Sequence, residues 1–172
     1  MYTEEVRTAL ESDPASYHRG QGRYMLETFG GIDFLFVGIA HNPDEEAVAW
    51  VSSVLDAYPD RIAVLLMHGY MYGDGRVIKS ATRLFDSLIA PHPNVRLVLC
   101  GHYAGFATRR DDFEDGRFVQ TIICNVQDDN GRRGTVQFLT VDPEKSTLSL
   151  YAWSPVRNEK EPIEIELDLD LK

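Results

Sequence analysis

Two histidines occupy equivalent positions after apolar runs of strand length. His68 directly follows the run 61–67, and His102 follows the run 95–100 with one glycine between them. Continuous apolar runs of this length are typical of buried parallel strands, and ligands bind outside the carboxyl ends of such strands. Because imidazole is a common metal ligand and the adjacent glycines allow close approach, the sequence predicts a metal or phosphate site there. The alternative is that both histidines are polar strand ends satisfied by backbone groups.

The elements around these histidines form an α/β pattern, strand–helix–strand–helix–strand, over residues 32–100. A Gly-Gly pair between two strand-like runs predicts a tight hairpin, and a proline followed by acidic residues predicts a helix start. The predicted elements are a hairpin over 24–39 turning at Gly30-Gly31, a helix opened by Pro43 and ended before Pro59, and a helix over about 79–89.

The pattern changes after the second histidine to antiparallel hairpins. Turn sequences at 113–116 and 142–146 each separate two strand-like runs, and the tail 163–171 alternates strictly, as in a half-buried or edge strand. We therefore predict a single domain over 1–172, with a polar lead-in at 1–22, an α/β part at 23–105 and an antiparallel β part at 106–172.

Composition excludes several classes of function. The chain has 172 residues and a net charge of −10, which argues against partners that need a basic face, namely nucleic acid and anionic membranes. We expect no membrane insertion, because no apolar stretch approaches the length of a span, and the first five residues lack signal-peptide character. Cys100 and Cys124 lie inside apolar runs and are predicted to be core residues, with neither a disulfide nor a cysteine metal site.

The two histidine turns, in this order and strand context, resemble the last two motifs of the calcineurin-like metallophosphoesterases. Three further stretches resemble the secreted or envelope-associated bacterial branch of that family, whose members are often exported; the compartment of this chain stays unknown. The stretches are 30–36, 94–102 and the end from Gly131 through 151–155. The resemblance covers roughly residues 20–157.

The resemblance implies a hydrolase: a phosphoesterase with a dinuclear Mn, Fe or Zn centre in an αββα sandwich, acting on a phosphoester substrate. It implies that His68 and His102 are ligands of one metal ion. The family's first three motifs, which supply the bridging aspartate, the asparagine ligand and the acid histidine, are absent from this sequence. In the last motif, Gly-His-x-His, Ala104 replaces the second histidine.

We therefore predict the C-terminal part of a metallophosphoesterase domain, which binds metal weakly or not at all and is inactive alone. We identify no catalytic residue in the chain itself. Exposed strand edges would lead to self-association or to completion by a missing N-terminal segment. The alternative is a degenerate, non-catalytic interaction module that uses the Tyr-rich loop 70–75 and an antiparallel edge.

Other candidate residues receive less weight in the sequence. We predict that the remaining histidines are surface or capping residues and that Arg109-Arg110 pairs with the adjacent aspartates. We also predict that the tyrosines near the site pack with their hydroxyls in solvent or contact substrate. Two further residues follow a strand near the site without an assignable role. The remaining histidines are His18, His41 and His92; the tyrosines are Tyr70, Tyr72 and Tyr103; and the two residues without an assignable role are Asn125 and Gln127.

Overall fold

The computed structural model describes residues 3–125, 134–169 and 171, and these form a mixed α/β fold. A seven-stranded sheet has the order β1-β2-β3-β4-β5-β7-β6, and a second sheet has the described strands β10-β9-β8. The strands are β1 Ser16–Tyr17, β2 Gly22–Phe29, β3 Ile32–Ile39, β4 Ile62–Met67, β5 Val95–Cys100, β6 Gly105–Asp112, β7 Phe118–Asn125, β8 Val136–Asp142, β9 Thr147–Ser154 and β10 Glu159–Asp168.

The centre of the large sheet is parallel, as predicted. β3, β4, β5 and β7 pair in parallel, whereas β2 and β6 pair antiparallel at the two sides. The predicted hairpin is confirmed: Phe29 pairs with Ile32, and Gly30 and Gly31 have φ values of +59° and +80°. A two-residue turn with positive φ at both positions follows the twist of the strands, and glycine adopts it without steric cost.

Helix α2, Glu45–Ala57, covers one face of the large sheet. Its N-cap is Asp44, whose side chain accepts a hydrogen bond of 2.8 Å from the amide of Ala47. An aspartate in this position satisfies a free amide and complements the helix dipole. The helix buries one stripe against the sheet, which consists of Ala47, Val48, Val51, Val54 and Leu55.

The helical segment at residues 79–89 has the predicted bounds and an irregular form. It consists of a 3₁₀ turn at Lys79–Ala81, an α turn at Thr82–Leu84 and a π turn at Phe85–Ile89. Leu88 and Ile89 are fully buried in the cluster that α2 and the sheet also form. The sequence predicted a helix here but not the change of helix type, because each type spans only three to five residues, too few to show its own period.

The second sheet packs on the opposite face of the large sheet. Phe34, Val64 and Leu97 of the large sheet meet Leu148 and Leu150 of β9 in a second apolar cluster. The predicted hairpin β8–β9 is confirmed, and the alternating tail is strand β10, which pairs with β9. The described residues thus form three layers: helices, large sheet and small sheet.

The lead-in contains a helix that the sequence did not predict. Helix α1, Glu4–Ser12, has Thr3 as its N-cap and contributes no side chain to the two described apolar clusters. The ring of Tyr17, in β1, stacks on Trp50 of α2 at a centroid distance of 5.4 Å. The helix escaped sequence analysis because its apolar stripe is short and consists of Val6, Ala9 and Leu10.

Both cysteines lie where the sequence predicted. Cys100 and Cys124 are free thiols; Cys124 is buried and Cys100 is half-buried. No helix among residues 3–125, 134–169 and 171 is long and apolar enough to cross a bilayer.

The two thiols make the free energy of unfolding depend on pH in the alkaline range. Burial raises the pKa of Cys100 and of Cys124 to about 11 in the folded chain, above an unfolded value of about 8.5. The unfolded chain therefore loses these protons first, and we expect the free energy of unfolding to fall as pH rises from about 8.5 through 11. Urea unfolding at several pH values checks this. A Cys100→Ala/Cys124→Ala variant should show a flatter fall, and an equally steep one would contradict the assignment.

Candidate metal site

The site lies where three parallel strands end at one edge of the large sheet. Ile39 of β3 pairs with Met67 of β4, and Met67 pairs with Cys100 of β5. His68 directly follows Met67, and His102 lies two residues beyond Cys100. Because the three strands end at the same edge of the sheet, the residues that directly follow them lie close together.

The two predicted histidines are in direct contact. His68 Nε2 lies 2.9 Å from His102 Nδ1, and the ring centroids are 4.7 Å apart. Both side chains are exposed to solvent. As free imidazoles they share a hydrogen bond, in which one ring nitrogen donates and the other accepts.

A third histidine joins this pair. The ring centroid of His41 lies 5.1 Å from that of His68 and 5.1 Å from that of His102. A Cβ atom placed on Gly69 would lie 3.4 Å from His41 Nδ1 and 3.6 Å from the Cβ of His102. Glycine at this position therefore keeps the base of the three-ring cluster open.

Sequence analysis missed His41 as a site residue. It lies two residues beyond the end of β3, so it follows a parallel strand in the same way as His102 follows β5. That signal was present in the sequence. It was discounted because His41 matches none of the family's histidine motifs.

The backbone around His102 holds its ring over the sheet edge. The amide of Tyr103 donates to the carbonyl of Gly101 at 2.8 Å, which closes a three-residue turn around His102. His102 has a φ of +67°, a conformation that is uncommon for a residue with a side chain. A second hydrogen bond of 3.1 Å, from the amide of Gly101 to the carbonyl of His68, ties the two turns together.

The turn that carries His41 is fixed at both ends. The amide of Ala40 donates to the carbonyl of Gln21 at 2.7 Å, and two residues beyond the turn Asp44 caps helix α2. The guanidinium of Arg83 donates to the carbonyl of Pro43. The backbone of His41 is thus anchored, while its ring is exposed and free to change rotamer.

The Tyr-rich loop packs against the His102 turn. A Cβ atom on Gly73 would lie 2.5 Å from the carbonyl oxygen of Ala104 and 3.0 Å from Cα of Gly105. Both are backbone atoms, so this contact admits only glycine. The rings of Tyr72 and Tyr103 meet at a centroid distance of 4.6 Å, and Tyr103 also contacts His102 at 4.7 Å.

Tyr70 corrects one sequence prediction. Its side chain is fully buried, and its hydroxyl has no hydrogen-bond partner within the described residues. We predicted a hydroxyl in solvent or in contact with substrate, and for this residue that prediction is wrong. Burial raises the pKa of the Tyr70 phenol well above its ordinary value, so the hydroxyl stays neutral. Met71 is fully buried as well, so the first two residues of the loop face the core rather than solvent.

The other candidates lie outside the three-histidine cluster. His92 is buried and capping rather than on the surface: its Nδ1 is 2.9 Å from the carbonyl oxygen of Leu88, and its Nε2 is 3.0 Å from Ser52 Oγ. His18 is exposed and stacks on Tyr17. As predicted, both arginines pair with adjacent aspartates: Arg109 pairs with Asp111, and Arg110 pairs with Asp112. Arg110 also pairs with Asp168. Asn125 ends β7, and Gln127 and Gly131 lie outside the described residues.

The His68–His102 pair fits a single divalent ion. Metal–nitrogen bonds of about 2.0–2.1 Å at angles of about 90–109° place the two nitrogens about 2.8–3.4 Å apart, and the observed separation is 2.9 Å. Ala104, where the resemblance places a ligand of a second ion, has no ligating side-chain atom. Across the described ranges, no group of three or more His, Cys, Asp or Glu side chains could hold a metal ion. The nitrogen separation of the pair is thus compatible with one shared ion, and Ala104 offers no ligand for a second.

The contact between Gly73 and residues 104–105 yields a test of how the site is positioned. We expect Gly73→Ala to destabilise the fold by about 1–3 kcal/mol, because the new methyl group overlaps the backbone of Ala104 and Gly105. It should also displace the turn that carries His102. Gly101→Ala is the matched control, since its new Cβ would have its nearest contact at an ordinary 3.8 Å. Urea unfolding measures the first effect, and equal stability of the two variants would contradict it.

Comparison with known proteins adds a relative of unknown activity. No protein-family model matches the chain. An uncharacterized protein, YvnB, of Bacillus subtilis is 28% identical over 173 aligned positions, which cover 91% of this chain. The chain spans only 13% of the length of that relative. A solved structure titled GAP50, the anchor in the inner membrane complex of Plasmodium, is 12% identical with a TM-score of 0.49; the match covers 87% of this chain and 54% of that one. That likeness is too low to carry an argument.

Proposed function

We propose that this chain is the C-terminal part of a metal-dependent phosphoesterase domain of the calcineurin-like type. In this proposal His68 and His102 bind one divalent ion, Mn, Fe or Zn, in the complete enzyme. The observation that supports it most directly is the 2.9 Å approach of two imidazole nitrogens at the carboxyl ends of adjacent parallel strands. Ligand sites in parallel sheets form at such ends.

The layers of the fold agree with this proposal. Helices, a large mixed sheet and a small antiparallel sheet are three of the four layers of a metallophosphoesterase-like αββα sandwich. The relative in Bacillus subtilis is several times longer than the aligned segment, so its chain has room for further motifs. In our proposal the remaining layer and the missing ligands come from polypeptide outside these 172 residues.

The described residues explain why the chain alone should be a poor hydrolase. In a loaded dinuclear centre, the metal supplies a hydroxide nucleophile and positive charge on the phosphoryl group. His68 and His102 provide two neutral donors for one ion, and Ala104 provides none for a neighbour. No described carboxylate joins them in a metal-holding group. We therefore infer binding without efficient turnover.

A two-histidine site yields a direct test. We expect Zn²⁺ or Mn²⁺ to bind weakly to the chain and to release little heat in a His68→Asn/His102→Asn variant, because both proposed ligands are gone. His18→Asn, which removes an exposed imidazole elsewhere and tolerates the positive φ at that position, should bind like the parent chain. Hydrolysis of a chromogenic phosphodiester should be negligible throughout. Substantial hydrolysis that survives loss of both histidines would refute the proposal.

The alternative, a non-catalytic interaction module, loses part of its support from the structure. It relied on an exposed Tyr-rich loop, and Tyr70 and Met71 are fully buried. A metal titration without heat in a well-folded monomer would favour the module. Heat that disappears with the two histidines would favour the enzyme-derived domain.

One apolar face of the large sheet is left partly uncovered. Met25 is opposite Phe36 in the β2–β3 ladder, and Leu66 is on the same side of β4 as Val64, which contacts the small sheet. Met25 is 49% exposed, Leu66 38% and Phe29, farther along β2, 56%. A cavity of about 270 Å³ opens between the sheets beside this face. Contiguous apolar surface of this kind marks an interface, and we propose that further polypeptide of the complete enzyme covers it.

The uncovered face predicts self-association of the isolated chain. We expect the chain to sediment above its monomer mass of 19.5 kDa at micromolar concentration, because copies bury the face against each other. Met25→Lys/Leu66→Lys should restore the monomer. The control is Val6→Lys on α1, which replaces an apolar side chain of similar exposure, 42%, away from the face. A parent chain that is monomeric at all concentrations would contradict the expectation.

A further inference from the structure

We infer that His41 is a third metal ligand, so that His41, His68 and His102 form a three-imidazole site for one Zn²⁺ ion. The inference rests on the proposed function, which supplies the His68–His102 pair, and goes beyond it by adding a ligand that no motif indicates. It also replaces the broad choice of Mn, Fe or Zn by one preferred ion.

The ring positions carry the inference. A metal–nitrogen distance of about 2.0–2.1 Å places an imidazole centroid about 3.2 Å from the ion, so two such rings at about 90–109° have centroids about 4.5–5.2 Å apart. The three observed centroid distances are 4.7, 5.1 and 5.1 Å. All three pairs therefore have the spacing that a common ion requires.

As they stand, the described residues form no group of three side chains that could hold a metal ion, so a third ligand requires a change in ring orientation. The plane of His41 is at 77° to that of His68 and at 33° to that of His102. His41 is exposed and its backbone is anchored, so a rotation about its side-chain bonds changes the aim of the ring without moving the turn. Exposed side chains change rotamer within nanoseconds, so binding an ion can select the ligating rotamer.

The donor set determines the class of ion. Imidazole nitrogen suits Zn²⁺, as well as Cu, Fe and Ni, whereas carboxylate and carbonyl oxygens suit Mg²⁺, Ca²⁺ and Mn²⁺; Mn²⁺ is therefore the least suited of the three ions in the proposed function. Three protein ligands on Zn²⁺ leave a fourth position open, which is the arrangement of catalytic rather than structural zinc sites. The exposure of all three rings leaves that position accessible to a small anion or to water.

The test compares single substitutions by calorimetry with Zn²⁺ in the full chain. His41→Asn, His68→Asn and His102→Asn should each weaken binding by more than the roughly 10–100-fold that loss of an outer-shell partner costs. His18→Asn is the control and should bind like the parent chain. Near-ultraviolet circular dichroism of each variant, without metal, verifies that the fold is retained. As a readout independent of affinity, ¹⁵N spectra of the imidazoles should show three histidines shifted by one equivalent of Zn²⁺.

The outcomes separate this inference from the proposed function. If His68→Asn and His102→Asn weaken binding while His41→Asn does not, and only two imidazoles shift, the third ligand is refuted and the two-histidine site stands. If no histidine of the cluster affects binding, both fail. Stronger binding of Mn²⁺ than of Zn²⁺ by the parent chain would overturn the assignment of the ion.

Discussion

The parallel register of β3, β4 and β5 is the constraint on which the site depends. Ile39, Met67 and Cys100 form one row across the sheet, and each strand is followed within two residues by a histidine. Parallel strands run in one direction, so these three residues leave the sheet at the same edge. A slip of one residue in any strand would turn its apolar side chains to the other face, so burial on both faces fixes the row. The packing of β3, β4 and β5 in the sheet thus determines where the three imidazoles lie.

Two backbone features then bring the residues at this edge of the sheet together into a cluster. The positive φ of His102 ends the extended backbone of the strand, and its ring contacts those of His41 and His68. Gly73 allows the neighbouring loop to press on residues 104–105 at a distance that no side chain permits. Backbone strain is tolerated where the surroundings hold it, and such positions concentrate at functional sites. Both glycines therefore help to form the histidine cluster. Gly69 leaves space beside the rings of His41 and His102, and Gly73 allows close backbone contact with residues 104–105.

Much of the fold could be predicted because its signals are local. The strand runs before His68 and His102, the Gly30-Gly31 turn and the acidic start of α2 each have a direct physical cause in a few adjacent residues. Other features depend on tertiary contacts and left no local signal. Pairing of β7 rather than β6 with β5 is a choice between two strands of one hairpin, and the burial of Tyr70 follows from how its loop folds under the site. Helix α1 has a stripe of three apolar residues, which is too short to establish a helical period in the sequence.

The site itself shows the same division between local and non-local information. The pair His68 and His102 could be predicted from strand ends, since both follow apolar runs. His41 carries the same signal, because it follows the apolar run of β3, and the parallel pairing of β3 with β4 places its turn beside the other two. The three imidazoles are neutral donors, so a bound divalent ion keeps its full charge in a chain whose net charge is −10. A locally positive centre on an otherwise acidic surface would attract small anions such as phosphate while the surroundings repel polyanions. In the proposed site, the chemistry of the ligands and the charge of the chain would thus favour the same ligands, which are small anions.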